Sequence, residues 1–181
     1  MTNTANTTKW ALDTSHSEVQ FKVKHLVIST VTGTFKVFSG EMESASDDFT
    51  DAKISFKIDA ASIDTNAGDR DGHLRSDDFF ATDKYPHITF ESRSFKKVSD
   101  SDYKLTGDLT IRDVTKPIEL SVEYGGTVVD PYGNTKAGFE VTGRINRKEF
   151  GLTWSAVTEA GGVVVSDDIK MFINVQFVKQ Q

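Results

Sequence analysis

Asp69-Arg70-Asp71-Gly72-His73-Leu74-Arg75 is the densest run of chemically capable side chains in the sequence. An imidazole beside carboxylates can move protons, so His73 with Asp69 or Asp71 could act as an acid/base pair on an apolar substrate. Arg70 or Arg75 could clamp an anionic group. The same residues also fit a solvated helix face with internal ion pairs, such as Asp71 with Arg75 four positions on. Arg70, His73 and Leu74 share one helix side, an arrangement suited to the polar rim of an apolar cavity. A second run, Asn146-Arg147-Lys148-Glu149-Phe150-Gly151-Leu152, offers Arg147 as an anchor for an acidic group. It equally fits a loop in which Gly151 takes a special backbone angle.

Other chemistries find little support. The four histidines, His16, His25, His73 and His87, contain no pair at the three- or four-residue spacing of a helical metal site. Neither a metal nor a cofactor is expected. The chain has no Cys, which excludes thiolate catalysis and a disulfide framework. Asp100-Ser101-Asp102 begins like a calcium loop, but Leu105 stands where that loop needs Gly. Phosphate-binding loops, dinucleotide fingerprints and nucleophile elbows are missing. With 21 basic and 27 acidic residues the net charge is −6, which argues against nucleic acid as the main partner.

The elements that must position these residues alternate with period two, the signature of strands with one apolar face. Val19, Phe21 and Val23 alternate with polar residues, as do Val31, Gly33, Phe35 and Val37. The pattern repeats at 52–58, 88–90, 103–111, 118–124, 137–145 and 169–177, giving about eight antiparallel strands. Asp130-Pro131-Tyr132-Gly133-Asn134 is a tight-turn signal, Gly125-Gly126 and Gly161-Gly162 mark bends or bulges, and Pro117 suits a strand entrance. His25 to Ser29 reads as a turn or one helical loop. Ser62 to Phe80 is the one stretch expected to hold a helix, wound over Ala67 to Arg75 and capped by Asp64 or Thr65. Met1 to Lys9 is polar and reads as a disordered arm before a single domain over 10–181. It has no apolar leader, and no run approaches a membrane-spanning length, so the expected location is cytoplasmic.

Thirteen Phe against two Trp and four Tyr is an unusual balance in a chain that is 37% hydrophobic. Phe has no polar handle and wants a dry interior. Phe21, Phe35, Phe56, Phe90 and Phe139 fall on the apolar faces of different strands. Such faces are buried either by stacking two sheets or by closing one sheet into a barrel, and long meandering strands favour the barrel. Whether a barrel of this size is packed shut or hollow does not follow from sequence.

Several stretches, in order, resemble the YceI-like family of polyisoprenoid-binding proteins. They include Trp10-Ala11-Leu12-Asp13, Phe21-Lys22-Val23-Lys24-His25, Val31-Thr32-Gly33-Thr34-Phe35 and Ala61-Ser62-Ile63-Asp64-Thr65. The central signature is Arg70-Asp71-Gly72-His73-Leu74, followed by Asp78-Phe79-Phe80 and Tyr85-Pro86-His87-Ile88-Thr89-Phe90. Gly107-Asp108-Leu109-Thr110-Ile111, Val114-Thr115-Lys116-Pro117 and Ile145-Asn146-Arg147 with Phe150-Gly151-Leu152 complete the match. The resemblance implies an all-β fold: an eight-stranded antiparallel, lipocalin-like barrel with a short helical insertion and an elongated apolar pocket. It also implies a long-chain isoprenoid or other lipid as partner, and a homodimer among the arrangements such proteins adopt.

The expectation is therefore a lipid-binding protein and not an enzyme. Expected wall residues are Phe21, Val23, Phe35, Ile54, Phe56, Ile58, Phe90, Leu105, Leu109, Leu120, Phe139, Val141 and Trp154. Leu74, Phe79 and Phe80 should close one end. Arg70, His73 and Arg147 are the candidates for a polar or pyrophosphate head group. Two alternatives stand beside this: an enzyme using His73 with Asp69 or Asp71, and a filled barrel whose surface recruits a partner.

Overall fold

Alternating segments become strands because only a strand sends successive side chains to opposite faces. The computed structural model describes residues 7–26, 28–154 and 165–180. Among them run β1 (Thr8–Leu12), β2 (Glu18–His25), β3 (Ser29–Phe35), β4 (Phe38–Ser44), β5 (Lys53–Asp59) and β6 (Ile63–Asp64). Then follow the helix α1 (Gly68–Arg75) and β7 (His87–Lys97), β8 (Asp102–Ile111), β9 (Val114–Val129), β10 (Thr135–Asn146) and β11 (Val165–Lys179). All pairings are antiparallel.

The ring β1-β4-β5-β7-β8-β9-β10-β11 closes back on β1 and makes an eight-stranded barrel. Closure removes the free edges that an open sheet would present. Two barrel staves are each broken into two arms. β1 and β2 are arms of one stave, β3 and β4 of the next, with β1 on β4 and β2 on β3. The first break is held by Asp13, whose carboxylate accepts from Ser15 N at 3.1 Å, while Ser17 Oγ donates to Asp13 O at 2.7 Å. β11 spans both arms of the first stave, pairing β2 through Asn174 and β1 from Phe177 onward. Beyond the second break β3 swings away from β5. There β6 pairs with Thr34 and Phe35, and α1 follows it.

Several local expectations are refined. Thr8 and Lys9, placed in the disordered arm, are strand and pair with Ser44 and Glu43, because they extend the apolar stave that begins with Trp10. His25 and Ser29 close a β-hairpin with Leu26 in the left-handed region (φ 54°); Val27 lies outside the described residues, as do Gly161 and Gly162. Gly125 is the extra residue of a bulge, since Gly126 faces Gly138 while Tyr124 faces Phe139. Pro117 sits inside β9 opposite Asp108, where the strand has not yet met β10, so its missing N–H breaks no ladder on that side. The 130–134 turn forms as expected, with Asp130 Oδ1 accepting from Tyr132 N and Asn134 N, both at 2.9 Å, and Gly133 at φ 84°.

The helix falls where the sequence places it but is held differently. Its N-cap residue is Ala67, with no side-chain cap. Neither Asp64 nor Thr65 caps it. Asp71 reaches back instead, accepting from Thr65 N at 2.9 Å and Thr65 Oγ1 at 2.5 Å. That buried carboxylate is therefore unavailable to Arg75, and the expected Asp71–Arg75 pair does not form.

Candidate functional site

The inward faces of the staves enclose a cavity of about 200 Å³. Roughly 10–15 Å³ suffices for one water, and an apolar cavity of many times that size stays dry. The barrel is hollow, which removes the filled-barrel alternative.

Glycines explain why so many large rings leave a lumen open. Gly33 faces Phe21 across β2 and β3, and a Cβ on Gly33 would come within 2.5 Å of Phe21 Cε1. Gly40 stands in the same relation to Phe56, at 2.9 Å from Cδ2. Gly107 is opposite Ser92, and the Phe90 ring reaches it diagonally, 2.8 Å from Cε2. Each ring lies back over a residue with no side chain, so it paves the wall rather than crossing the lumen. Phe21, Val23, Phe35, Ile54, Phe56, Ile58, Phe90, Leu105, Leu109, Leu120, Phe139 and Val141 all line the cavity. Met42, Phe95, Ile145, Met171 and Phe177 line it too. Of these five, all but Met42 and Phe95 lie on the apolar faces legible in the sequence.

The floor is a plug of rings. Phe49, in the loop between β4 and β5, is almost fully buried and touches Trp10, Tyr124 and Phe139, with ring centroids 5.4, 5.5 and 5.3 Å away. Phe95 stacks on Tyr103 at 4.7 Å beside it. The loop is pinned so that Phe49 must point inward. Asp48 accepts from Ser46 Oγ and Thr50 N, Asp51 N donates to Phe95 O, and Tyr103 Oη donates to Asp48 O. The Ser46 hydroxyl first, then the Thr50 amide, hold the Asp48 carboxyl below its ordinary range. Phe49 and Asp51 both take positive φ, 62° and 61°. Nothing in the apolar alternation marks this loop, so the plug is not legible in the sequence.

The roof is closed by α1 and the turn after it, and Leu74, Phe79 and Phe80 line the cavity from there, as expected. Trp154 does not line it. Its ring packs against His73 at 4.9 Å and Phe79 at 5.4 Å, behind the cavity surface. Arginines stitch the roof by donating to backbone carbonyls. Arg75 binds Ala61 O and Ile63 O, and Arg112 binds Phe79 O and Gly151 O. Arg147, only 2% exposed, binds Leu152 O at 2.7 Å, Trp154 O at 2.6 Å, Ser166 O at 3.0 Å and Val165 O at 3.4 Å.

The expected head-group residues therefore separate. Arg147 is on the cavity wall, but its donors are spent on carbonyls, and Asp167 lies 3.8 Å from Nη2. Burial pushes its pKa down, and Asp167 opposes that shift. Arg70 is exposed and holds Thr65 through Oγ1 and O, away from the lumen. His73 Nε2 meets Asp78 Oδ2 at 2.9 Å on the outer side of the roof. The acid/base pair of the enzyme alternative is not assembled: His73 touches neither Asp69 nor Asp71, and it does not face the cavity. Among the described residues no three ligating side chains gather to hold a metal, and no helix is long and apolar enough to cross a membrane.

A closed antiparallel barrel around an apolar lumen, plugged at one end and roofed by a helix at the other, defines a lipocalin-like binder of hydrophobic ligands. Within that class the chain belongs to the YceI-like family, whose domain model matches residues 10–177. A UPF0312 protein of Staphylococcus epidermidis is 37% identical over 171 residues, covering 94% of this chain and 97% of the relative. The crystal structure of the Campylobacter jejuni YceI protein is 38% identical, with a TM-score of 0.74 over 87% of this chain and 90% of that one. A polyisoprenoid binding domain from Saccharophagus degradans shares the fold at 18% identity, with a TM-score of 0.66 over 94% and 98%.

Proposed function

We propose that the protein binds a long-chain isoprenoid or a closely related lipid, for transport or storage, with the chain threaded along the barrel axis. The observation that carries this is the lumen: about 200 Å³ of apolar space whose one charged lining residue among the described residues, Arg147, already has its hydrogen bonds. Such a wall rewards apolar length and little else. Each buried CH₂ contributes about 0.8 kcal/mol, so each isoprene unit that enters the lumen adds affinity with no polar contact. Branched methyls suit a wall of flat rings and β-branched side chains better than a narrow slot would. The Saccharophagus degradans domain, which shares the fold, is described as binding polyisoprenoid, and that supports the choice of ligand class. With Arg147 committed to carbonyls, any head group is expected to remain at the roof, outside the lumen.

Native mass spectrometry of the protein purified from its own host tests this. The expected result is a mass excess that organic extraction removes and that fragments in five-carbon steps. A protein that carries no extractable lipid and takes up none from an added isoprenoid alcohol would overturn the reading.

A further inference from the structure

A protein that carries a membrane-derived lipid must meet the membrane, and one face of the barrel is built unlike the rest. Arg144 lies directly opposite Lys170 across β10 and β11, and Lys170 lies directly opposite Lys22 across β11 and β2. Neighbouring strands are about 4.8 Å apart, so three cations share a row about 10 Å wide. Like charges in cross-strand register cost stability, and this chain has an excess of acidic residues to place there. Lys24 extends the same face one step along β2, where Nζ reaches Thr30 Oγ1 at 3.0 Å. Lys22 Nζ stands 4.9 Å over the Phe172 ring. The acidic groups nearby are Asp168, 4.0 Å from Arg144, and Asp167, which pairs with Lys148 at 3.3 Å, while Glu18 and Glu140 lie two rows further from the roof.

The second observation is apolar. The hairpin joining β2 to β3 carries Ile28 at 86% exposure and Leu26 at 40%. These two side chains extend the basic face at the roof end. His25 pairs with Val165, and both Val165 and Val23 line the cavity. Exposed apolar side chains beside a cluster of cations match the two parts of an anionic bilayer surface, its acyl boundary and its head groups.

We infer that the outer face of β10, β11 and β2, with the hairpin tip at Leu26 and Ile28, docks the protein on an anionic lipid bilayer, roof toward the membrane. This rests on the lipid-binding reading and adds the route: a lipid leaving the bilayer enters at the roof without crossing water. The exposed Asp69, Asp77, Asp78 and Asp83 of the roof are repelled by the same membrane, so the basic flank and its hairpin, not the roof as a whole, make the contact and set the orientation.

Sedimentation with vesicles tests it, using phosphatidylglycerol–phosphatidylcholine mixtures against pure phosphatidylcholine. The protein should bind the anionic vesicles at about 0.1 M salt and lose about tenfold in affinity near 1 M, where the screening length falls from about 10 to about 3 Å. Lys22→Glu with Lys170→Glu should lose at least about tenfold on anionic vesicles, and Ile28→Ser several-fold, while all variants keep the wild-type melting temperature and cavity lipid. Equal binding to both vesicle types, binding unchanged in the variants, or no vesicle binding at low salt overturns the proposal. Loss of heparin binding in the charge-reversed variant, with neither protein sedimenting on vesicles, also overturns it in favour of a soluble polyanion. Cavity lipid is read separately by mass spectrometry, so an empty lumen with intact docking indicts the ligand assignment and leaves the docking face standing.

Discussion

Substituting Gly33 tests whether the rings pave a hollow wall. A Cβ there would come within 2.5 Å of Phe21 Cε1 and closer still to Cζ, against a comfortable separation of about 3.5–4.0 Å, so the ring must retreat by about 1.5 Å. Phe21 faces the lumen, so it has somewhere to go. Overpacking a filled core costs about 1–3 kcal/mol. Here the penalty should fall to the low end of that range, and Gly→Ala returns about 0.4–1 kcal/mol by restricting the unfolded chain. Gly33→Ala should thus melt within about 3 °C of wild type. Ligand uptake should fall about tenfold, because the ring now intrudes on the acyl path; loss of a contact or two worth about 1.4 kcal/mol is sufficient. Gly107→Ala is the internal control. Its Cβ meets the Glu91 carbonyl oxygen at 2.5 Å as well as Phe90, and backbone cannot rotate away, so that variant should lose about 3 kcal/mol or fail to fold. Melting curves and titration with a fluorescent isoprenoid measure both. Gly33→Ala melting as low as Gly107→Ala, or binding ligand as well as wild type, would refute the argument from the lumen.

Four further outcomes follow from the same geometry. Phe49→Ala should cost about 3–5 kcal/mol in chemical denaturation and let water reach the floor of the lumen, because the plug has no other ring to replace it. Arg147→Lys should destabilise by about 2–3 kcal/mol, since one ammonium cannot serve four carbonyls; hydrogen exchange should rise most at Leu152 and Gly151. His73→Phe should leave ligand affinity within about twofold, because His73 stands outside the cavity; a larger loss by titration would return the imidazole to the site. The Ser15 hydroxyl and His16, with Lys136 behind them, hold the Asp13 carboxyl well below its ordinary range. A carboxyl depressed in the folded state contributes stability above its unfolded pKa, about 3.9, and loses it as pH falls through the folded value. Melting temperature should therefore decline below about pH 4, and Asp13→Asn should flatten that decline.

The barrel was legible, though not its hollowness, because it has one rule, apolar in and polar out, and strands such as 103–111 obey it residue by residue. That rule recovered eight staves and most of the wall. It blurred where inward positions carry small or polar residues: Gly40 and Ser44 weaken the signal of β4, and the five residues of β1 are too few for a period to show. Phe49 could not be seen because its inward aim comes from a pinned loop with positive φ, a backbone property that residue types do not announce. Trp154 shows the converse, an apolar ring expected in the wall that the roof uses instead, against His73 and Phe79. The arginines mark the deeper limit. Arg147 has the residue type of an anion clamp, and only the positions of four carbonyls reveal that it is a brace.

β11 pairs with β10 along one side and with both arms of the first stave along the other, and it follows every other strand in the chain. Until it is in place, β10 and β1 both present open edges, and the ring-lined interior is a trough. Closure thus joins the two most distant parts of the sequence, a pairing of long range that forms late and slowly. During that interval the nascent trough is the most aggregation-prone form of the protein. It is also the form most open to a lipid, so ligand present at the moment of closure can be enclosed by folding itself.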